Sequence, residues 1–347
     1  MQMLYIREKS KDGHTPTGAD VGAIAGRLAC WWFLLTAIGL LWIWPLVIGV
    51  ICYMRNPWVT AVFLGYLAYI SVGHGAKAAR NCSWPTPLRR WSLWQLMASY
   101  FDARLVKTAD LDPNGHYLFA VHPHGIIAIS SWINFVTEAT GFRKLFPGID
   151  VHAATLESNF RTPFLREYIL LHGLIDAGRE TIRRVLTGPP GRSVLLVVGG
   201  AAEALLAAPG TYDIILQARK GFVRLALQTG ASLVPVIAYG ETDTFHTYIW
   251  PPGGRGAAVS RWLKKFLGIS TPMCWGIGVF GGWGMMPLQV PLVTVVGAPL
   301  AVEKTDSPTP EQVDRLHGEY VAAINKLWDE TSAKYGKNVR RGLTIVQ

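Results

Sequence analysis

From Leu28 to Met54 the chain carries no charge and is dense in Trp, Leu and Ile. A hydrocarbon core takes about 20 apolar residues as a helix, so this run is long enough to cross a bilayer. Arg55-Asn56-Pro57 interrupts it, and a second apolar run extends from Trp58 to Gly73. The pair predicts a helical hairpin over 28–76, transmembrane or re-entrant. Arg7, Lys9, Lys11 and Arg27 precede it, Lys77, Arg80, Arg89 and Arg90 follow, and Arg55 alone lies between. The positive-inside rule then puts both flanks in the cytosol. Residues 1–27 are polar and predict a flexible cytosolic N-terminus, and the Trp- and Arg-rich stretch 77–98 predicts a linker at headgroup level.

Beyond that point the pattern changes. Tyr117–Val121, Ser193–Val198, Leu233–Ala238 and Leu292–Val296 are short unbroken runs of branched apolar residues, as strands buried on both faces are. Between them Thr162–Leu171, Arg179–Leu186 and Lys220–Thr229 have helical spacing. The alternation predicts an α/β fold over 99–347, with a largely parallel sheet flanked by helices. Thr309-Pro310-Glu311-Gln312 reads as a capping box opening a last helix, whose apolar stripe is Val313, Leu316, Tyr320, Ile324 and Leu327. Pro251–Gly256 reads as a loop.

Composition sharpens this picture. Half of the 347 residues are hydrophobic and only 16% are charged, with 14 tryptophans. A typical soluble protein has roughly 25% charged residues, so the deficit points to membrane association. The net charge of +10 suits anionic lipid or a phosphorylated ligand. No basic block, zinc finger or RNP-like pattern accompanies it, which argues against nucleic acid. Cys30, Cys52, Cys82 and Cys274 are scattered and describe no disulfide framework.

His122-Pro123-His124-Gly125 carries the most chemistry. It closes the apolar run ending at Val121. Proline cannot extend a sheet ladder, glycine allows close backbone approach, and imidazole titrates near neutrality. Three readings are open at this point: proton transfer, metal binding, and a structural turn. No third metal ligand stands at recognisable spacing. Gly199-Gly200-Ala201-Ala202-Glu203 sets an acid after another strand, and Tyr239-Gly240-Glu241 sets one after a third. Arg219, Lys220 and Arg224 surround the start of a helix, a place that favours phosphate. Open α/β sheets bind ligands at the carboxyl ends of their strands, which gives these motifs one edge to share.

These motifs, in this order, resemble the type 2 diacylglycerol acyltransferase family. The resemblance carries His122-Pro123-His124-Gly125, Phe146-Pro147-Gly148-Ile149, Asn159-Phe160-Arg161 and Leu165-Arg166-Glu167-Tyr168. It continues through Gly199–Glu203, Arg219-Lys220-Gly221-Phe222-Val223-Arg224 and Trp283-Gly284-Met285-Met286-Pro287. Tyr100-Phe101-Asp102 departs from the Tyr-Phe-Pro that is common in the family.

The resemblance implies an endoplasmic reticulum membrane enzyme, with lipid droplets as a second location. Its catalytic domain would face the cytosol and make triacylglycerol from diacylglycerol and acyl-CoA. It implies His124 as general base and His122 as helper. Glu203, with Glu241 as second candidate, would orient the imidazole, because Ile129 stands where related glycerolipid acyltransferases carry the acid. Pro123, Gly125, Asn159, Arg161, Gly199, Gly200, Arg219, Lys220, Gly221, Phe222, Arg224 and Glu241 become candidate binding residues for acyl-CoA or acceptor. No metal and no cofactor is implied, acyl-CoA being a co-substrate. The partners are acyl-CoA, diacylglycerol and membrane lipid, and a homo-oligomer is compatible. Monoacylglycerol or a long-chain alcohol (as in wax synthesis) is the alternative acceptor. A metal-dependent hydrolase on His122 and His124 and a non-catalytic scaffold are the readings from other classes.

Overall fold

The computed structural model describes residues 21–82, 84–248, 250, 254, 258, 262, 273–279 and 281–346. The flexible segment expected before Val21 and most of the loop expected over Pro251–Gly256 lie outside the described residues.

Twelve strands are described. They are β1 (Arg104–Lys107), β2 (Tyr117–His122), β3 (Asp150–Thr155), β4 (Ile175–Asp176), β5 (Arg192–Val197) and β6 (Thr211–Ile215). Then come β7 (Ser232–Tyr239), β8 (His246–Tyr248), β9 (Met273–Ile277), β10 (Trp283–Gly284), β11 (Val293–Val296) and β12 (Arg341–Val346). Seven form one sheet in the order β1-β11-β7-β2-β5-β3-β4. β7, β2, β5, β3 and β4 run parallel, so the sheet is mostly parallel as the alternation predicts. The run Leu292–Val296 departs from that: β11 lies antiparallel to β7, and β1 runs with β11.

Alternation along β2 divides the core. Leu118 and Ala120 face one hydrophobic cluster, built with the helices Arg179–Leu186, Gly221–Thr229 and Pro310–Tyr335. Phe119 and Val121 face another, with Phe135, Phe142 and Phe146. Every residue of β2 is buried, as expected of a central strand covered on both sides. The last helix opens with the predicted capping box, and its predicted stripe is buried. The helix expected over Thr162–Leu171 forms only over Leu165–Leu170. Pro163 holds Thr162 extended, which delays the start.

The N-terminal hairpin differs from a straight span. Helix Val21–Leu34 passes through a widened π turn at Leu35–Gly39 into helix Leu40–Met54, and helix Pro57–Ser71 follows. Ile24–Gly39 and Ile43–Met54 are bent by 72° to each other, and among the described residues no single helix is long and apolar enough to cross a membrane. Ala29, Cys30 and Phe33 are buried against Trp94, Met97 and Tyr100 of helix Leu93–Tyr100. Farther out the apolar residues face outward, with Tyr53 88% and Trp58 80% exposed. Part of the stretch expected to lie at headgroup level packs into the protein. Arg89 is buried and donates to Val151 O at 2.9 Å and Phe135 O at 2.9 Å, and Trp94 lies in the core. The basic and aromatic composition could not distinguish a lipid headgroup from a backbone carbonyl as the partner of that guanidinium.

Candidate functional site

The carboxyl ends of β2, β5 and β7 converge on the histidine motif. β2 ends at His122, and the next peptide bond, to Pro123, is cis. Gly125 then takes φ +57°. A Cβ there would lie 2.6 Å from Glu241 Cγ, so the turn needs glycine for both conformation and space. The chain turns again at Ala128 and enters the helical stretch Ile129–Val136.

Two buried carboxylates grip this loop by its backbone. Glu203, in the turn after β5, accepts from His124 N at 2.8 Å and from Ile215 N at 2.7 Å. Glu241, in the turn after β7, accepts from Ile129 N at 2.8 Å and Ser130 N at 2.7 Å. Both are 1% exposed. The expectation that one of them orients the His124 ring is therefore corrected: each holds main-chain N–H groups. The ring is oriented instead by Gly125 O, 3.1 Å from His124 Nδ1. A carbonyl only accepts, so Nδ1 carries the hydrogen and Nε2 is the unprotonated nitrogen.

Burial sets the charge states here. It pushes the carboxyls of Glu203 and Glu241 up to about 7, against the pull of their N–H donors. It lowers both imidazoles, His122 to about 3, so both rings are neutral at pH 7. A carboxyl with a raised folded-state pKa stabilises fully below its unfolded value, and that stability is lost as pH rises through about 7. Glu241→Gln removes one such group. As pH rises from 5 to 8, the stability difference should move toward the variant by up to about 3 kcal/mol. Thermal midpoints of both proteins across that range check this; parallel curves would contradict it.

His122 is fully buried, with Nε2 at 3.0 Å from Tyr320 Oη. Among the described residues no group of three His, Cys, Asp or Glu side chains forms a metal site, so the hydrolase alternative finds no ligand set there. Pro123 is buried beside the histidines. Gly199 and Gly200 make the turn before Glu203, and a Cβ on Gly199 would overlap the Glu203 carboxylate.

The other predicted residues divide. Arg219 is exposed, and its charge reaches Glu203. Lys220 stands just before helix Gly221–Thr229 and bonds Asp314 at 2.6 Å, so its ammonium already has an acidic partner. Gly221 and Arg224 are exposed on that helix. Phe222, expected to touch substrate, is instead a core residue, with its ring 5.0 Å from Tyr320. Asn159 bonds Thr155 Oγ1 at 2.9 Å, and Arg161 bonds Glu157 at 2.9 Å. Both follow β3, on the same sheet edge, but no contact joins them to the histidines. Tyr320 was legible only as core; its hydroxyl within an apolar stripe was the available signal.

The family described as Diacylglycerol acyltransferase matches this chain over residues 50–345. Diacylglycerol O-acyltransferase 2 of Danio rerio is 39% identical over 297 residues, 84% of this chain and 81% of that protein. The protein of the same name from Homo sapiens is 37% identical over 301 residues, 84% of this chain and 77% of that one. Diacylglycerol O-acyltransferase 2B of Umbelopsis ramanniana is 38% identical over 264 residues, covering 75% and 76%. Among solved structures, the 1-acyl-sn-glycerophosphate (LPA) acyltransferase of Thermotoga maritima superposes at TM-score 0.40 and 10% identity, over 90% of this chain and 99% of that one.

Proposed function

The chain belongs to the diacylglycerol acyltransferase family and is an acyltransferase of that kind, and from this premise we propose that it makes triacylglycerol from acyl-CoA and diacylglycerol by direct transfer. An alcohol is too weak a nucleophile to attack a thioester unaided. His124 Nε2 takes the hydroxyl proton as the oxygen attacks the thioester carbonyl. The C–S bond then breaks, and the CoA thiolate leaves and collects the proton from His124. No acyl-enzyme and no cofactor takes part. The observation that carries this reading is the state of His124. It is neutral, clamped through its own N–H by Glu203, and has Nδ1–H tied to Gly125 O.

Arg219 and Arg224 bind the phosphates of CoA, and Lys220 supports the same helix end through Asp314. Arg219→Ala should raise the apparent acyl-CoA KM about tenfold, the loss of one charge-assisted hydrogen bond. Initial rates against acyl-CoA concentration check this, and an unchanged KM counts against the assignment. The outward apolar faces of the N-terminal helices hold the enzyme on the endoplasmic reticulum membrane, where diacylglycerol resides, and on lipid droplets. The catalytic domain faces the cytosol and its acyl-CoA.

The deciding experiment supplies the purified protein with labelled acyl-CoA and a panel of diacylglycerol, monoacylglycerol and a long-chain alcohol. Triacylglycerol as the main product supports the reading. Diacylglycerol or wax ester in its place moves the acceptor. No acyl product, with free fatty acid or nothing formed, overturns it.

A further inference from the structure

Tyr320 stands in the buried stripe of the C-terminal helix and is fully buried. Its hydroxyl donates to Ala120 O at 3.2 Å and lies 3.0 Å from His122 Nε2. A phenol has one hydrogen, and a carbonyl oxygen can only accept it. The second contact then forms only when Nε2 of His122 carries a hydrogen and donates to the phenol oxygen. His122 is neutral, so its Nδ1 is left as a lone pair. That nitrogen is buried, and no hydrogen-bond partner among the described residues reaches it. A buried acceptor without a donor is costly unless something fills the place in the working complex. The Phe222 ring packs T-shaped against Tyr320, with the ring centroids 5.0 Å apart.

We propose that Tyr320 is a positioning residue for acyl transfer. It fixes His122 as the Nε2–H tautomer, so that Nδ1 accepts the acceptor's hydroxyl hydrogen as the alcohol arrives; that one hydrogen then turns to His124 Nε2, which takes it as the oxygen attacks. The inference rests on the acyl-transfer reading and assigns the two histidines separate work. His122 receives the alcohol, and its only N–H is committed to Tyr320.

The test is a double-mutant cycle with steady-state kinetics. Tyr320→Phe keeps the ring and loses the hydroxyl. It should lower kcat/KM for the acceptor about tenfold and leave the acyl-CoA KM unchanged. His122→Asn keeps a polar atom near the Nδ1 position and lacks Nε2. In that background Tyr320→Phe should cause no further loss. Equal losses in both backgrounds would make Tyr320 merely structural and overturn the proposal. So would a changed acyl-CoA KM with the acceptor kinetics intact. If Tyr320→Phe fails to fold, nitrogen NMR of the parent protein with labelled histidine decides the point. A protonated Nε2 on His122 supports the proposal, and a protonated Nδ1 overturns it. The NMR result does not depend on turnover. A parent protein with no transferase activity would defeat the acyl-transfer reading and leave the tautomer assignment standing.

Discussion

Replacing His124 with alanine should lower acyl transfer by about 10²–10⁴-fold, the usual worth of a positioned general base. The loss should fall on kcat. His124 is only partly buried, and among the described residues its side chain bonds only its neighbour's carbonyl. Removing the ring therefore leaves the loop held by Glu203 and Glu241, and the thermal midpoint should stay near that of the parent. The acyl-CoA KM should also hold, because Arg219 and Arg224, proposed for the CoA phosphates, are untouched. The measurement is kcat for triacylglycerol formation at saturating acyl-CoA, with a melting curve on the same preparation. A variant that keeps more than a tenth of the parent rate would remove His124 from the base role.

The second large effect belongs to the tether. Glu203→Ala strands two part-buried N–H groups, on His124 and Ile215. Each costs about 1–3 kcal/mol when left without a partner. Stability and activity should therefore fall together, in contrast to His124→Ala. Gly199→Ala should behave in the same way without touching a polar group, since its Cβ would occupy the space of the Glu203 carboxylate. Glu203→Gln should lie between. It keeps one acceptor oxygen and turns an NH2 toward the other backbone N–H, so one of the two bonds is lost. Melting curves and transfer rates for the three variants provide the check. If Gly199→Ala keeps parental activity, the tether is not what places His124.

Much of this architecture is legible in the apolar pattern. The four runs of branched residues became β2, β5, β7 and β11, and Arg179–Leu186 is a helix to the residue. The pattern does not encode strand direction, so the reversal of β11 went unseen. Strand-end logic brought His122, His124, Glu203 and Glu241 to one edge, because a parallel sheet fixes which ends meet. It could not say which atoms meet. A glutamate that bonds an imidazole and one that bonds a peptide N–H look alike in sequence. The N-terminal run shows the same limit from the apolar side. Ala29, Cys30 and Phe33 sit against protein while Tyr53 and Trp58 face outward, and hydropathy scores both as buried in oil. The resemblance makes Phe222 a binding candidate, yet its side chain follows the inward face of its helix.

The partners that fix the histidine loop all come later in the chain. Glu203 lies 79 residues beyond His124, Glu241 lies 112 beyond Ile129, and Tyr320 lies 198 beyond His122. During synthesis the loop emerges early and waits for each of them in turn. A chain released before Glu241 has neither helix cap nor finished site. One released before Tyr320 has a histidine free to hold either tautomer. The loop therefore reaches the arrangement described above only once the last helix has been made.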